Sequence, residues 1–391
     1  MMPLLKNLCL FLTGISCLVQ LTSANSLPAW QAGPYAVAMS HLEVKEQPDN
    51  QVMLSYLLGQ PSEAHYVRDI LLQPDAAPTV IVQVPDQPER YGSWAGKTWP
   101  VVLLIAYPTT ESNPRTDYEF PYTDTGDRTL SHMHQPGDQP LFAEVPGGKF
   151  PLIMMSGGYR THSLWYIHHM RAIAQQGYIV VDLFHGDGRE TEFAAALALR
   201  SLAFKAALDY VLAHPDYGPS IDVDRMGAVG ESGGGHTVLT ALGGFDPKQR
   251  LPAVPDPRIK AAVGVVPFMG ASFGFWPSAV DGWYFGKNHA GLSAVSKPYL
   301  AIYGGKDKNV KPKGVMGGIR AVAGPSMAVR LPEEAHLFSH AAHQDARTWE
   351  LLFLDAFVRN NPAARAQLAV ATEVAGGARD EVTYRKGIAL P

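Results

Sequence analysis

Cysteine is almost missing from this chain of 391 residues: Cys9 and Cys17 are the only two. Beyond residue 17 there can be no disulfide framework, no thiolate zinc site and no cysteine nucleophile. Charge is also sparse. Asp, Glu, Lys and Arg make up 17% of the residues, and the formal net charge is −4. That balance lacks the strongly basic face that nucleic acid favours, and it lacks a polybasic patch for a membrane surface. No internal repeat and no low-complexity tract breaks the chain, which excludes solenoids and extended linkers. What remains is an ordinary globular composition, 46% hydrophobic, long enough for one large domain or two small ones.

The first residues, MMPLLKNLCLFLTGISCLVQLTSANS, have one lysine (Lys6), then an apolar stretch, then small residues. This layout predicts a secretory signal peptide over 1–24, cut after Ala24. A membrane anchor is the competing reading, but the apolar run is short for a bilayer span. A lipoprotein cut before Cys17 fits less well, because Gly14-Ile15-Ser16 matches that signal only in part. The mature protein is then expected to be secreted or periplasmic, to lack cysteine, and to keep no membrane span.

Two strands, Thr79–Val84 and Trp99–Pro108, are legible from their Val and Ile content. Residues 109–148 read as a long irregular insertion, of a length that is often a functional cover. A strand–helix rhythm follows. FPLIMMS (150–156), YIVVDLF (178–184), RMGAVG (225–230), IKAAVGVVP (259–267), PYLAIYG (298–304) and MAVRLP (327–332) are apolar strands. Helical spacing marks 163–177, 191–216, the segment after ESGGGH, and 345–360. Continuous apolar strands alternating with helices predict an α/β domain over 25–361, its mostly parallel sheet covered by helices on both faces. Residues 362–391 are expected to form a tail.

The segment GAVGESGGGH (227–236) surrounds one serine with five glycines. GESGG (230–234) matches G-x-S-x-G between a predicted strand and a predicted helix. Such a turn presents Ser232 at its apex, and glycines two before and two after relieve the crowding. The helix N-terminus behind the serine carries partial positive charge, and the Gly233 amide faces any oxyanion formed there. No Lys-Ser/Thr pair follows the glycines, so the phosphate-binding loop pattern fails.

A serine hydroxyl needs a base, and the base needs a carboxylate to orient it. Asp307, in the turn after PYLAIYG, and His336, shortly past MAVRLP, lie where the ends of parallel strands gather functional groups. Asp281 competes for the first role, and His340 and His343 stand close to the second. The Tyr159 N–H, after Gly157 and Gly158, is the expected second oxyanion donor beside Gly233. Phe268, Trp276 and Trp283, with Phe273, Phe275 and Tyr284, are candidates for an apolar pocket wall or for plain core. A metal-dependent or metal-binding protein is the rival reading. It would draw on His132, His134, His168, His169, His185 and Asp187, but no third ligand follows at a defined spacing. A non-catalytic binding protein on the same fold is another.

The segments DVDRMGAVGESGGGHTVLTA, PLIMMSGGYRTHS, QQGYIVVDLFHGDG and DPRIKAAVGVVP resemble those of the α/β-hydrolases grouped around dienelactone hydrolase. The branch they resemble most is the platelet-activating-factor acetylhydrolase-like one. The resemblance spans roughly residues 95–360. It implies an α/β-hydrolase fold, a nucleophile at Ser232 and an oxyanion amide at Tyr159. Where that branch can carry its acid, this chain has Pro267. GGKDKNV and EEAHLF are more similar to cutinase and polyester-hydrolase relatives, which implies Asp307 and His336. The expectation is a secreted serine esterase acting on small-molecule or polymeric carboxylic esters, with no metal or organic cofactor.

Overall fold

The computed structural model describes residues 25–60, 66–73, 77–123, 127–248, 253–270 and 285–389. The expected signal peptide, Asp281, and the aromatic candidates Phe273, Phe275, Trp276, Trp283 and Tyr284 lie outside these residues.

Apolar runs that hide both faces become central strands, and the sheet is built from them. Ten strands join in one mixed, largely parallel sheet: β1 (Ala36–Met39), β2 (Thr79–Gln83), β3 (Thr98–Thr109), β4 (Phe150–Ser156), β5 (Ile179–Phe184), β6 (Ile221–Glu231), β7 (Ile259–Val265), β8 (Tyr299–Gly304), β9 (Ser326–Leu331) and β10 (Glu381–Lys386). Their spatial order is β10-β9-β8-β7-β6-β4-β5-β3-β1, with β2 also paired to β3. The six strands β4 to β9 run parallel. Antiparallel pairing is confined to the flanks, at β1, β2, β3 and β10.

Alternate residues of each strand feed two separate cores. On β3, Val102, Leu104 and Ala106 face one; Val101, Leu103 and Ile105 face the other. The first core is closed by helices α1 (Ile167–Gln175), α5 (His340–Phe357) and α6 (Pro362–Val370). The second is closed by α2 (Phe193–Ala213), α3 (Gly233–Ala241) and α4 (Pro312–Ala321). The class is therefore α/β in three layers. Among the described residues, no helix is long and apolar enough to cross a membrane.

One segment differs from its sequence reading, and a second, the largely irregular insertion, gains detail. Residues 362–389, expected as a tail, form α6 and then β10, which adds an antiparallel edge to β9. Leu368 and Val374 are buried there, and Ser26–Leu27 pairs with Glu373–Val374. The insertion at 109–148 carries a small hairpin, Tyr118–Glu119 against Thr129–Leu130, and is laced back to the β1–β3 edge. Met39 N–H donates to Ser131 O, and Ala143 N–H to Pro108 O.

The order of the crossovers decides where strand ends meet. From β4 the chain passes to β5 on one side, then returns across β4 to β6, and continues outward through β7, β8 and β9. The sheet reverses its winding between β4 and β6, the place where α/β sheets open a crevice. Ser156 and Gly230 are register partners there, so the turns after both strands face each other.

Candidate functional site

Ser232 follows the last residue of β6 and caps α3. Its φ of +49° and ψ of −113° lie in a sparsely populated region for a residue with a side chain, a conformation that costs about 1–3 kcal/mol and persists only when neighbours enforce it. They do so by contact. A Cβ on Gly234 would sit 1.7 Å from Ser156 O, and one on Gly230 would sit 2.3 Å from Gly234 O. Only glycine lets β4, β6 and α3 converge this tightly. The Ser232 N–H donates to Val265 O at 3.0 Å, and its carbonyl accepts from Phe268 N–H at 2.8 Å. The bend is fastened on both sides.

His336 reaches the same point from the loop after β9, and Asp307 from the turn after β8. His336 Nε2 lies 3.0 Å from Ser232 Oγ, and His336 Nδ1 lies 2.8 Å from Asp307 Oδ2. An ionised carboxylate only accepts, so Nδ1 carries the hydrogen and Nε2 accepts from the serine hydroxyl. The other oxygen of Asp307 accepts the N–H groups of Asn309 and Val310, at 2.8 and 2.9 Å. Its side chain is fully buried, while that of His336 stays 17% exposed. The carboxylate is a fixed acceptor, and the imidazole keeps access to solvent and to a ligand. This arrangement can move the serine proton onto Nε2 while stabilising the imidazolium that results.

Tyr159 follows β4 across the crevice. The Gly233 Cα lies close by: a Cβ placed on it would be 3.2 Å from Tyr159 N. Gly233 opens α3, so its N–H has no acceptor within the helix. Neither amide has a hydrogen-bond partner among the described residues. Gly233 adjoins Ser232 in the chain and Tyr159 N lies next to it, so these two amides are candidate donors for a developing negative charge.

Several flanking groups carry no obvious sequence motif. Arg200, buried in α2, donates to Gly157 O at 2.7 Å and Gly158 O at 2.6 Å, and pairs with buried Asp187 at 3.0 Å. Asp187 also accepts from Arg160 N–H at 2.8 Å. The signal for Arg200 was present: it is the only charge between Glu192 and Lys205 on an Ala/Leu-rich helix, and a buried cation requires a partner. Tyr166, on a short turn before α1, is fully hidden and sits between Gly158 N–H and Glu231. Burial and the neighbouring Glu231 push its phenol well above the usual range. Burial also raises the Glu231 carboxyl, with His169 and His336 acting the other way.

A cavity of about 270 Å³ opens beside the imidazole of His336. Trp165, Val266, Leu337 and Phe338 give it apolar walls, and Glu231, His168, His169 and His343 give it polar ones. Leu337 is 70% exposed. Phe268 is not on these walls. It is 1% exposed and packs under the turn in the second core, its ring 6.2 Å from that of Phe193. It acts as support for the bend.

The metal candidates do not converge. Among the described residues, no group of three or more His, Cys, Asp or Glu is placed to hold a metal ion. His134 is buried against the Tyr107 and Tyr217 hydroxyls, His185 meets Ser156 Oγ at 3.0 Å, and His169 pairs with Glu350. His340 starts α5 away from the serine, where it contacts Gln344, and the His343 ring packs on Phe338. No protein-family model matches the chain, and neither does any curated protein.

Proposed function

We propose that this chain is a serine hydrolase of the α/β-hydrolase type, exported from the cytoplasm and acting on carboxylic esters. One observation carries the reading. Ser232 Oγ, His336 and Asp307 stand in a continuous hydrogen-bonded line of 3.0 and 2.8 Å, although the chain separates the serine from the histidine by 104 positions. The chain order Ser, Asp, His and the strand–turn–helix context agree with it. So does the resemblance to the dienelactone hydrolase and polyester-hydrolase relatives.

In the reaction, the Ser232 hydroxyl attacks the ester carbonyl as His336 Nε2 takes its proton. Asp307 holds the imidazole in its productive tautomer and stabilises its charged form. The Tyr159 and Gly233 amides bind the tetrahedral oxyanion, each donor contributing about 2.7–4 kcal/mol to the transition state. His336 returns the proton to the departing alcohol, leaving an acyl group on Ser232. Water, deprotonated by the same imidazole, then releases the acid.

The mature protein should hydrolyse p-nitrophenyl acetate and take a fluorophosphonate label on Ser232. Ser232→Ala should lose the label and at least about 10⁴-fold in kcat while keeping its circular dichroism spectrum. A folded Ser232→Ala protein with undiminished turnover would refute the proposal.

A further inference from the structure

The oxyanion turn is held from two directions, and only one of them reaches the nucleophile's own strand. Arg200 and Asp187 take the carbonyls of Gly157 and Gly158 and the N–H of Arg160, anchoring the turn to α2 and to the loop after β5. On the opposite side, Gly158 N–H donates to Tyr166 Oη at 2.8 Å. Tyr166 O–H in turn donates to Glu231 Oε1 at 3.2 Å, and Glu231 is bonded in sequence to Ser232. A Cβ on Gly157 would lie 2.4 Å from Tyr166 Cε2, so the phenol ring packs directly on the turn and only glycine fits beneath it.

The phenol has one proton to give. Thr161 Oγ1 also lies within reach at 3.1 Å, but it spends its own proton on Gly158 O at 2.7 Å. The carboxylate is the stronger acceptor for the phenol hydrogen. A hydroxyl polarised in this way is also a better acceptor for Gly158 N–H, since linked hydrogen bonds reinforce one another. We propose that the Tyr166–Glu231 pair is the positioning device that sets the Tyr159 amide against Ser232 Oγ. It couples the oxyanion donor to the nucleophile's strand through the peptide next to that donor. This inference rests on the hydrolase reading and deepens it. Tyr166 and Glu231 also line the cavity beside His336; the positioning role argued for them runs through Gly158 and Tyr159. A displaced oxyanion donor weakens binding of the tetrahedral state far more than binding of the flat ester.

The test compares wild type with Tyr166→Phe and Glu231→Gln, using p-nitrophenyl acetate and an alkyl trifluoromethyl ketone. Ser232 adds reversibly to the ketone carbon, its proton passes to His336, and the carbonyl oxygen becomes an oxyanion held by the same amides. In both variants kcat should fall about ten- to a hundred-fold with KM within about two-fold. The inhibition constant of the ketone should rise by the same factor as kcat/KM falls. A purely structural role would instead lower the active fraction and leave the inhibition constant of that fraction unchanged. If Tyr166→Phe does not fold, Glu231→Gln, which preserves side-chain shape, carries the test alone. An active wild type with variants unchanged in both kcat/KM and ketone affinity would overturn this inference alone. A wild type inert to ester and fluorophosphonate would overturn the hydrolase reading and this inference with it.

Discussion

Replacing Asp307 by Asn removes one charge and almost no volume, yet the surroundings of that side chain make it a severe change. One carboxylate oxygen accepts two backbone N–H groups, from Asn309 and Val310, and the other accepts His336 Nδ1–H. An amide has a single oxygen. Turned toward the two backbone donors, it presents its NH₂ to His336 Nδ1, which must then accept. The hydrogen moves to Nε2, and Ser232 loses its proton acceptor. Turned the other way, the amide leaves two buried N–H groups facing an NH₂, at about 1–3 kcal/mol each. The productive arrangement is therefore disfavoured by roughly 2–6 kcal/mol, or about 30- to 10⁴-fold. Loss of the charge that stabilises the imidazolium adds to this. The expected fall in kcat is about 10⁴-fold, with KM within about two-fold and an unchanged thermal midpoint. Stopped-flow release of p-nitrophenol measures kcat, and fluorophosphonate labelling should slow in parallel. A loss of less than about tenfold would show that this carboxylate does not set the tautomer, and the proton-transfer argument would fail.

Gly234→Ala should abolish ester turnover and lower stability by about 1–3 kcal/mol or more, because its Cβ would meet Ser156 O at 1.7 Å; urea melts and p-nitrophenyl acetate assays check both. Stability should also fall with acid. Burial pushes His162, His168 and His236 down to about 3, and His134 and His343 down to about 4. The unfolded chain protonates these rings near their ordinary value of about 6.5, so it binds more protons than the folded one below that pH. Asp182 and Asp345 oppose this: burial raises them to about 6 and about 7, so their folded forms bind protons first. The histidines outnumber them, so the urea midpoint should drop as pH falls from 6.5 to 4. Each unopposed ring contributes up to about 1.36 kcal/mol per pH unit. A midpoint that holds or rises over that range refutes the assignment.

Much was legible in the sequence because the signals are local. The strands from β4 to β9 are apolar runs bounded by turns, and, apart from the polar first half of β6, their burial on both faces leaves no polar alternation to disguise them. The bend at Ser232 could be read because steric crowding at a strand-to-helix turn selects glycine wherever the backbone must pass close. The edges were harder. Strand β10 has half-exposed residues, and helix α4 carries three glycines that weaken its local helix propensity; packing against β9 and the second core makes them form. A signal peptide is a property of the chain before folding, and only the sequence speaks to it.

The sequence by itself determined the class of the fold, the tight bend that carries the serine, and the kinds of side chain available to activate it. Only the tertiary structure decided which acid and which histidine reach Ser232 Oγ, because that depends on the ends of β6, β8 and β9 meeting at one edge of the same parallel sheet. It also decided the contacts of Arg200, Tyr166 and Phe268. Each of these acts through contacts with residues distant in the chain, and a hydrogen bond or a packed ring across such a distance leaves no periodicity in the sequence to read.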